Sequence, residues 1–169
     1  MPTTYQLISS NTLSTTAASV TFSAIPATYT DLVLRASIRT DAGSPNVLLR
    51  FNGATTSFSD TAIRGTGSAV NSLTNTAASN YNYGGIANGT SSTTSTFTSL
   101  EWYIPSYTIS QNKPSSVISA YENNGTTAYL TAVANLWSST AAITEVLITQ
   151  GSGNLASGSS FYLYGISNA

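Results

Sequence analysis

The chain contains no histidine and no cysteine among its 169 residues, and its only lysine is Lys113. Histidine and cysteine supply most catalytic bases, thiol nucleophiles and zinc ligands. Their absence therefore excludes disulfides, zinc sites of the usual kinds and Ser-His or Cys-His catalysis. A hydroxyl nucleophile also needs a neighbouring base to activate it. We expect a protein that is not an enzyme and binds no cofactor.

Charge is equally scarce, because five Arg or Lys and six Asp or Glu make up only 7% of the residues. An average soluble domain has about 25%. Five dispersed cations do not form the basic patch that binds phosphate backbones, so we expect no nucleic-acid partner. No apolar run reaches about 18 residues, and residues 1–5 carry no signal region. We expect no membrane partner, no signal peptide and synthesis in a cytoplasm.

Neutral polar residues take the place of the missing charges: 28 Ser, 27 Thr and 14 Asn. The apolar fraction of 41% is higher than disordered chains have, and the length is that of one domain. The net charge of −1 favours association over free diffusion. These features indicate a folded domain that is meant to be assembled.

Apolar and polar residues alternate along most of the chain, which is the signature of β-strands. In residues 30–39, for example, Leu32 and Leu34 share one face while Asp31 and Arg35 share the other. β-Branched and aromatic residues dominate the other segments of this kind. The predicted strands are residues 5–9, 19–23, 30–39, 47–51, 81–86, 100–104, 116–122, 128–136, 143–149 and 160–166.

These strands, separated by turn residues and without helical periodicity, predict an all-β fold. We expect an antiparallel β-sandwich, jelly-roll-like as the first choice and immunoglobulin-like as the second. Asn52-Gly53 and Asn124-Gly125 predict tight turns, the second of them within a hairpin at residues 123–126. The expected core includes Leu32, Leu34, Ile38, Leu49, Leu100, Trp102, Leu130, Val146, Ile148 and Leu163.

The first ten residues allow two alternatives. Residues 1–10 are uncharged and contain a strand pattern around Tyr5 and Leu7, so they form either an arm that adds to a neighbouring sheet or the first strand of their own domain. Residues 11–169 form the single β-sandwich domain. Tyr5 and Leu7 are candidate interface residues.

Residues 65–96 are rich in small and polar side chains. We expect one or two short strands near residues 81–86, with exposed loops on either side. Tyr81 and Tyr83 in this stretch, and Tyr103 on the outward side of its strand, are further candidate interface residues, since tyrosine suits polar interfaces. The alternative for each is ordinary packing between strands.

Glu101, Glu122 and Glu145 are the candidates for a catalytic carboxylate pair of the glycosidase type. Each also fits a solvent-facing strand position, and the apolar neighbours of Glu101 favour that interpretation. Oxygen ligands alone suit calcium, but the acidic residues form no dense calcium loop. We predict no catalytic residue and no metal site.

Four blocks of the sequence carry a resemblance. They are AIPATYTDL (24–32), IPSYT (104–108), LWSSTAAIT (136–144) and FYLYGI (161–166), and together they resemble a family of small Ser/Thr-rich bacteriophage virion proteins. The resemblance runs from about Tyr5 to Ile166 and brings no catalytic motif and no set of functional residues. It implies a structural component of a phage particle, located in the virion.

Three functions compete within this framework. The first is a capsid decoration or cement protein that binds the major capsid protein and itself, expected as a homotrimer at the threefold positions of the shell. The second is a tail or fibre protein that recognises a glycan, and the third is a glycan hydrolase. The chain has no coiled coil, collagen-like repeat or other shaft, which favours the first.

Overall fold

The computed structural model describes residues 4–125 and 127–167, with side chains described for all but 75–79. These residues contain twelve β-strands and no helix, so the all-β prediction is confirmed. The strands are β1 (Tyr5–Thr12), β2 (Val20–Phe22), β3 (Asp31–Ile38), β4 (Asn46–Phe51), β5 (Phe58–Gly65), β6 (Val70–Ser79), β7 (Asn82–Ile86), β8 (Thr98–Ile104), β9 (Lys113–Tyr121), β10 (Tyr129–Trp137), β11 (Val146–Gln150) and β12 (Ser160–Ile166).

The strands form two antiparallel sheets. The large sheet has the order β1-β12-β3-β8-β9-β10-β5-β6, and the small sheet has the order β2-β11-β4-β7. Buried apolar side chains from both sheets meet in one core. The predicted antiparallel β-sandwich is therefore confirmed.

The path of the chain alternates between the two sheets. Strands β1, β3, β8 and β12 lie side by side in the large sheet, and β2, β4, β7 and β11 make up the small one. Two further hairpins, β5–β6 and β9–β10, extend the large sheet beyond β8. Without these two hairpins each sheet has four strands, in the orders β1-β12-β3-β8 and β2-β11-β4-β7, and the jelly-roll form of the sandwich stays a prediction.

Nine of the ten expected core residues are buried, with Trp102 fully enclosed and donating its indole N–H to Ser115 Oγ at 2.9 Å. The expectation for Leu130 is wrong, because this side chain is 61% exposed. Apolar residues occupy both faces of β10, and Val133 and Trp137 point inward. Leu130 has the opposite parity and therefore points outward.

The hairpin β5–β6 has no counterpart in the sequence prediction. Its strand β5 points Asp60 inward and half-buries Arg64, so the expected apolar alternation is absent. Strand β6 lies within residues 65–96, where an exposed loop was the expectation. The short strand predicted near residues 81–86 is present as β7.

The two predicted turns differ in what they connect. Asn52 and Gly53 both have positive φ, as the dipeptide indicates, but they lead from the small sheet to the large one. Asn124 also has positive φ and lies in the loop between β9 and β10, which pair as the predicted hairpin. Thr126 of that turn lies outside the described residues.

Strand β7, at the edge of the small sheet, comes very close to the large sheet. A Cβ on Gly85, whose φ is +92°, would lie 2.0 Å from Ser119 Oγ, so this position requires glycine. Asn135 of β10 donates from Nδ2 to the Tyr83 carbonyl at 3.2 Å, and its Oδ1 accepts the Tyr83 N–H at 3.1 Å. Asn135 thus pairs both backbone groups of a buried edge residue.

Strand β1 is an edge strand of the large sheet and pairs with β12 of the same chain. All but one of its eight residues are exposed, and Ile8 alone packs partly against the core. The structure therefore has the first-strand arrangement for residues 5–10. Residues 1–3 lie outside the described part of the chain, and an exchange of β1 between copies stays a prediction.

Candidate functional site

The large sheet has an inner face toward the core and an outer face that points away from it. Opposite residues of an antiparallel pair lie on the same side, so the strand registers define rows of side chains across the outer face. One row comprises Tyr162, Arg35, Glu101, Ile118, Ala132 and Ile63. The next row comprises Leu7, Tyr164, Val33, Tyr103 and Ser116.

One half of the outer face is apolar. Ile63, Ile118 and Leu130 are 59%, 54% and 61% exposed, and Ala132 lies between the two isoleucines in the register. We call these four residues the aliphatic patch. Among the described residues, the outward positions of β5, β9 and β10 carry no charged side chain. Grouped, exposed apolar side chains of this kind are typical of interaction surfaces.

The other half of the outer face contains three of the candidate interface residues. Tyr5 and Leu7 are exposed on β1, and Tyr103 is exposed on β8 with β12 and β3 between them. The Tyr103 hydroxyl donates to Asp31 Oδ2 at 2.9 Å. Partial burial, and then this bond to a carboxylate, raises the pKa of Tyr103. The structure therefore places these three residues on one face of the large sheet, and their role in an interface stays a prediction.

The charges of the outer face are neutralised locally. Arg35 Nε donates to Glu101 Oε2 at 2.9 Å, and both side chains remain about half exposed. An exposed pair of this kind contributes about 0–1 kcal/mol to stability. The Asp31 carboxylate accepts the Ser106 N–H at 2.8 Å as well as the Tyr103 hydroxyl. The face therefore presents little uncompensated charge to a partner.

The two remaining interface candidates lie elsewhere. Tyr83 is only 4% exposed in β7, so the expectation that it is a surface residue is wrong. The close approach of β7 to the large sheet buries its ring, and this burial raises the pKa of Tyr83. Tyr81 is half-buried and lines a groove of about 260 Å³ with Arg64 and Leu73. It does not belong to the outer face.

The three glutamates are not brought together. Glu101 pairs with Arg35 on the outer face, whereas Glu122 Oε1 accepts the N–H groups of Asn123 and Asn124 in the β9–β10 loop. Glu145 precedes β11 and lies against the turn that follows β4, near the opposite end of the strands. A glycosidase needs two carboxylates about 5–10 Å apart. These positions do not form such a pair.

The loops after β3, β7 and β11 are tied together at one end of the sandwich, which we call the loop end. The Arg39 guanidinium donates to the carbonyl oxygens of Gly89, Thr93 and Thr96 at 2.8, 3.0 and 2.8 Å. Asp41 accepts the Asn154 Nδ2 group at 2.9 Å and its backbone N–H at 2.6 Å, and these bonds lower the pKa of Asp41. These contacts join residues 50 to 113 positions apart in the chain, so they could not be predicted from any single segment, and they connect the three loops.

Lys113 is fully buried at the other end of the sandwich. Its Nζ donates to the carbonyl oxygens of Ile109 and Thr140 at 2.6 and 3.4 Å, and also to that of Gln111. Burial lowers the pKa of Lys113. The lysine therefore holds connecting loops together and does not present a charge on the surface.

Within residues 4–125 and 127–167, no three acidic side chains are placed so that they could hold a metal ion. The same residues include no helix long and apolar enough to cross a membrane. Comparison of the chain with protein-family models, curated proteins and solved structures gives no match. The resemblance to phage virion proteins therefore stays a prediction that depends on the four sequence blocks.

Proposed function

We propose that this chain is a non-enzymatic structural protein of a bacteriophage virion, and specifically a capsid decoration or cement protein. Its partners under this proposal are the major capsid protein and further copies of itself. The four sequence blocks that resemble virion proteins support the class of protein. The outer face of the large sheet supports a role in docking.

The aliphatic patch is the observation that carries the proposal. It places Ile63, Ile118 and Leu130 on three adjacent strands, and each is more than half exposed. A partner that covers this patch removes apolar surface from water, at roughly 25 cal/mol per Å² of apolar area before the costs of association. The partner meets no charge in the patch that must be desolvated. The free-energy cost of desolvating a charge often exceeds the Coulomb energy gained by pairing it. An uncharged patch of this kind suits docking to a shell through many weak contacts.

Strand β1 is our candidate for contacts between copies. Its outer edge has unpaired backbone groups, and none of its eight residues is charged. Proteins usually protect such edges with Lys, Pro or a covering loop, because an open edge recruits another strand. A homotrimer at a threefold position would cover this edge and present three aliphatic patches to the lattice.

Shells assembled from the major capsid protein alone provide the test. Co-sedimentation of the purified chain with these shells measures binding, and Ile63→Arg places a charge within the aliphatic patch, where its cross-strand neighbours Ala132 and Ser72 are uncharged. The matched control is Ile109→Arg, since Ile109 is 52% exposed in a loop away from this face. We expect Ile63→Arg to weaken binding by at least about tenfold, because it buries an unpaired charge. Equal binding of the two variants would contradict the docking surface.

A further inference from the structure

The loop end contains a groove of about 320 Å³ with an unusual lining. It opens between the loops after β3, β7 and β9, and its volume is at the lower end of the range of about 300–1,000 Å³ for small-molecule sites. None of its lining side chains is charged. They are hydroxyls, an amide and two tyrosines, chiefly Ser44, Ser91, Thr93, Asn123, Tyr121 and Tyr129. We call it the tyrosine groove.

A connected hydrogen-bond network holds one wall of the tyrosine groove in place. The buried Tyr121 hydroxyl lies 2.9 Å from Ser92 Oγ and 3.2 Å from Ser44 Oγ, and it accepts the Asn123 Nδ2 group at 2.9 Å. Ser44 Oγ in turn lies 2.8 Å from Ser91 Oγ. Neighbouring hydrogen bonds in such a chain strengthen one another. The polar groups of this wall are therefore oriented before any ligand arrives.

The network ends at the Ser91 hydroxyl, and the Thr93 hydroxyl, which is outside the network, lines the same groove. Ser91 and Thr93 are exposed at the groove. A serine or threonine hydroxyl has one donor and two acceptor positions, so the bond between Ser44 and Ser91 leaves capacity on both groups. A ligand that matches them must itself carry groups that both donate and accept.

The second wall is aromatic and rigid. The Tyr129 ring is half-buried, with the Tyr121 ring 5.3 Å away and tilted by 37°. The guanidinium carbon of Arg64 lies 4.8 Å from the centroid of the same ring. These contacts fix Tyr129, so little conformational freedom remains to be lost on binding. The part of the half-buried Tyr129 ring that stays accessible lines the groove beside the hydroxyls.

We propose that the tyrosine groove binds a neutral saccharide. A sugar ring has hydroxyls that donate and accept, which match Ser91 and Thr93, and an apolar C–H face, which matches Tyr129. The uncharged lining provides no partner for a carboxylate, sulfate or phosphate. This site goes beyond the structural role proposed above, because it lies at the loop end and not on the outer face.

Titration of the folded chain with maltose, lactose, mannobiose and chitobiose, followed by amide NMR, tests this proposal, with sialyllactose as the acidic comparison. We expect at least one neutral disaccharide to bind with a Kd of about 1 mM and to shift the amide signals of Ser91, Thr93 and Gly125. Thr93→Val should weaken that binding by roughly three- to tenfold, since it removes one hydrogen-bonding hydroxyl. Thr61→Val, a matched change at an exposed position of β5, should leave it unchanged.

Three outcomes would overturn the saccharide site: no shift with any of the four neutral sugars, shifts that cluster away from the groove, or binding of sialyllactose alone. A second variant, Tyr129→Leu, removes the aromatic wall and should abolish the shifts while the far end of the sandwich keeps its spectrum. Binding of both threonine variants to capsid shells is measured separately. Failure of the saccharide site is thereby distinguished from failure of the docking proposal.

Discussion

Replacing Asn135 with alanine tests how the sandwich is closed at strand β7. Asn135 is 4% exposed, and its side chain pairs the Tyr83 N–H and C=O groups at 3.1 and 3.2 Å. Alanine leaves one buried donor and one buried acceptor without a partner. Each unsatisfied group costs about 1–3 kcal/mol, and water that enters at the sheet edge reduces this. We expect Asn135→Ala to lower the free energy of unfolding by about 2–3 kcal/mol.

Urea and thermal unfolding at one fixed protein concentration measure this effect. For a chain of this size, about 2–3 kcal/mol corresponds to a fall in Tm of roughly 4–12 °C. Asn71→Ala is the matched control, because Asn71 is exposed on β6 and a surface change of this kind stays within about 0.5 kcal/mol. Equal stability of the two variants would refute the assigned role of Asn135.

The variant Asn135→Asp adds a dependence on pH that simple loss of packing would not produce. A protonated carboxyl can still donate to the Tyr83 carbonyl and accept its N–H, whereas a buried carboxylate can only accept. Burial raises the folded-state pKa of such a group, so its stabilising contribution is present at low pH and lost as the pH rises through that pKa. The difference in free energy of unfolding between Asn135→Asp and the native chain should therefore become smaller at low pH. A difference that does not change with pH would contradict this interpretation.

Two further predictions concern Tyr107 and β1. Tyr107 is fully enclosed and donates to the Pro26 carbonyl, and burial raises its pKa above the ordinary value of 10.0. The folded chain keeps this proton longer than the unfolded chain, so stability is full below pH 10.0 and falls above it. In urea unfolding, Tyr107→Phe should lower the free energy of unfolding by about 1 kcal/mol at neutral pH and by less above pH 10. A difference between the variant and the native chain that stays constant with pH would contradict the prediction. Deleting residues 1–8 should leave a circular dichroism spectrum of strands and remove self-association measured by light scattering, because β1 adds almost nothing to the core. Global unfolding of the truncated chain would show instead that β1 is essential to its own domain.

Strands with an apolar face and a polar face could be predicted from the sequence. Leu32, Leu34 and Ile38 on β3, and Leu100 and Trp102 on β8, alternate with polar residues and are buried as expected. Alternation with a period of two indicates which face of a strand is buried, so the inner face can be assigned from the sequence of that strand alone. The order of the strands within the sheets depends on long-range pairing, which no single segment reveals.

The hairpin β5–β6 and the aliphatic patch escaped prediction for a related reason. Asp60 and Arg64 lie toward the inner side of β5, so apolar and polar residues do not alternate regularly along this strand and the sequence does not single out the outward Ile63. In β10 apolar residues occur at both parities, so the sequence predicts a core position for Leu130 although this side chain points outward. Where both faces carry apolar side chains, periodicity does not distinguish a core from an interaction surface. Asn135 is likewise indistinguishable in sequence from the exposed asparagines.

Imaging of intact phage particles by cryo-electron microscopy tests the central claim most directly. The docking proposal predicts density for this chain at regular sites over the head, in groups of three, with the aliphatic patch turned toward the shell. Density confined to the tail or its tip would contradict that proposal and favour a receptor-binding role instead.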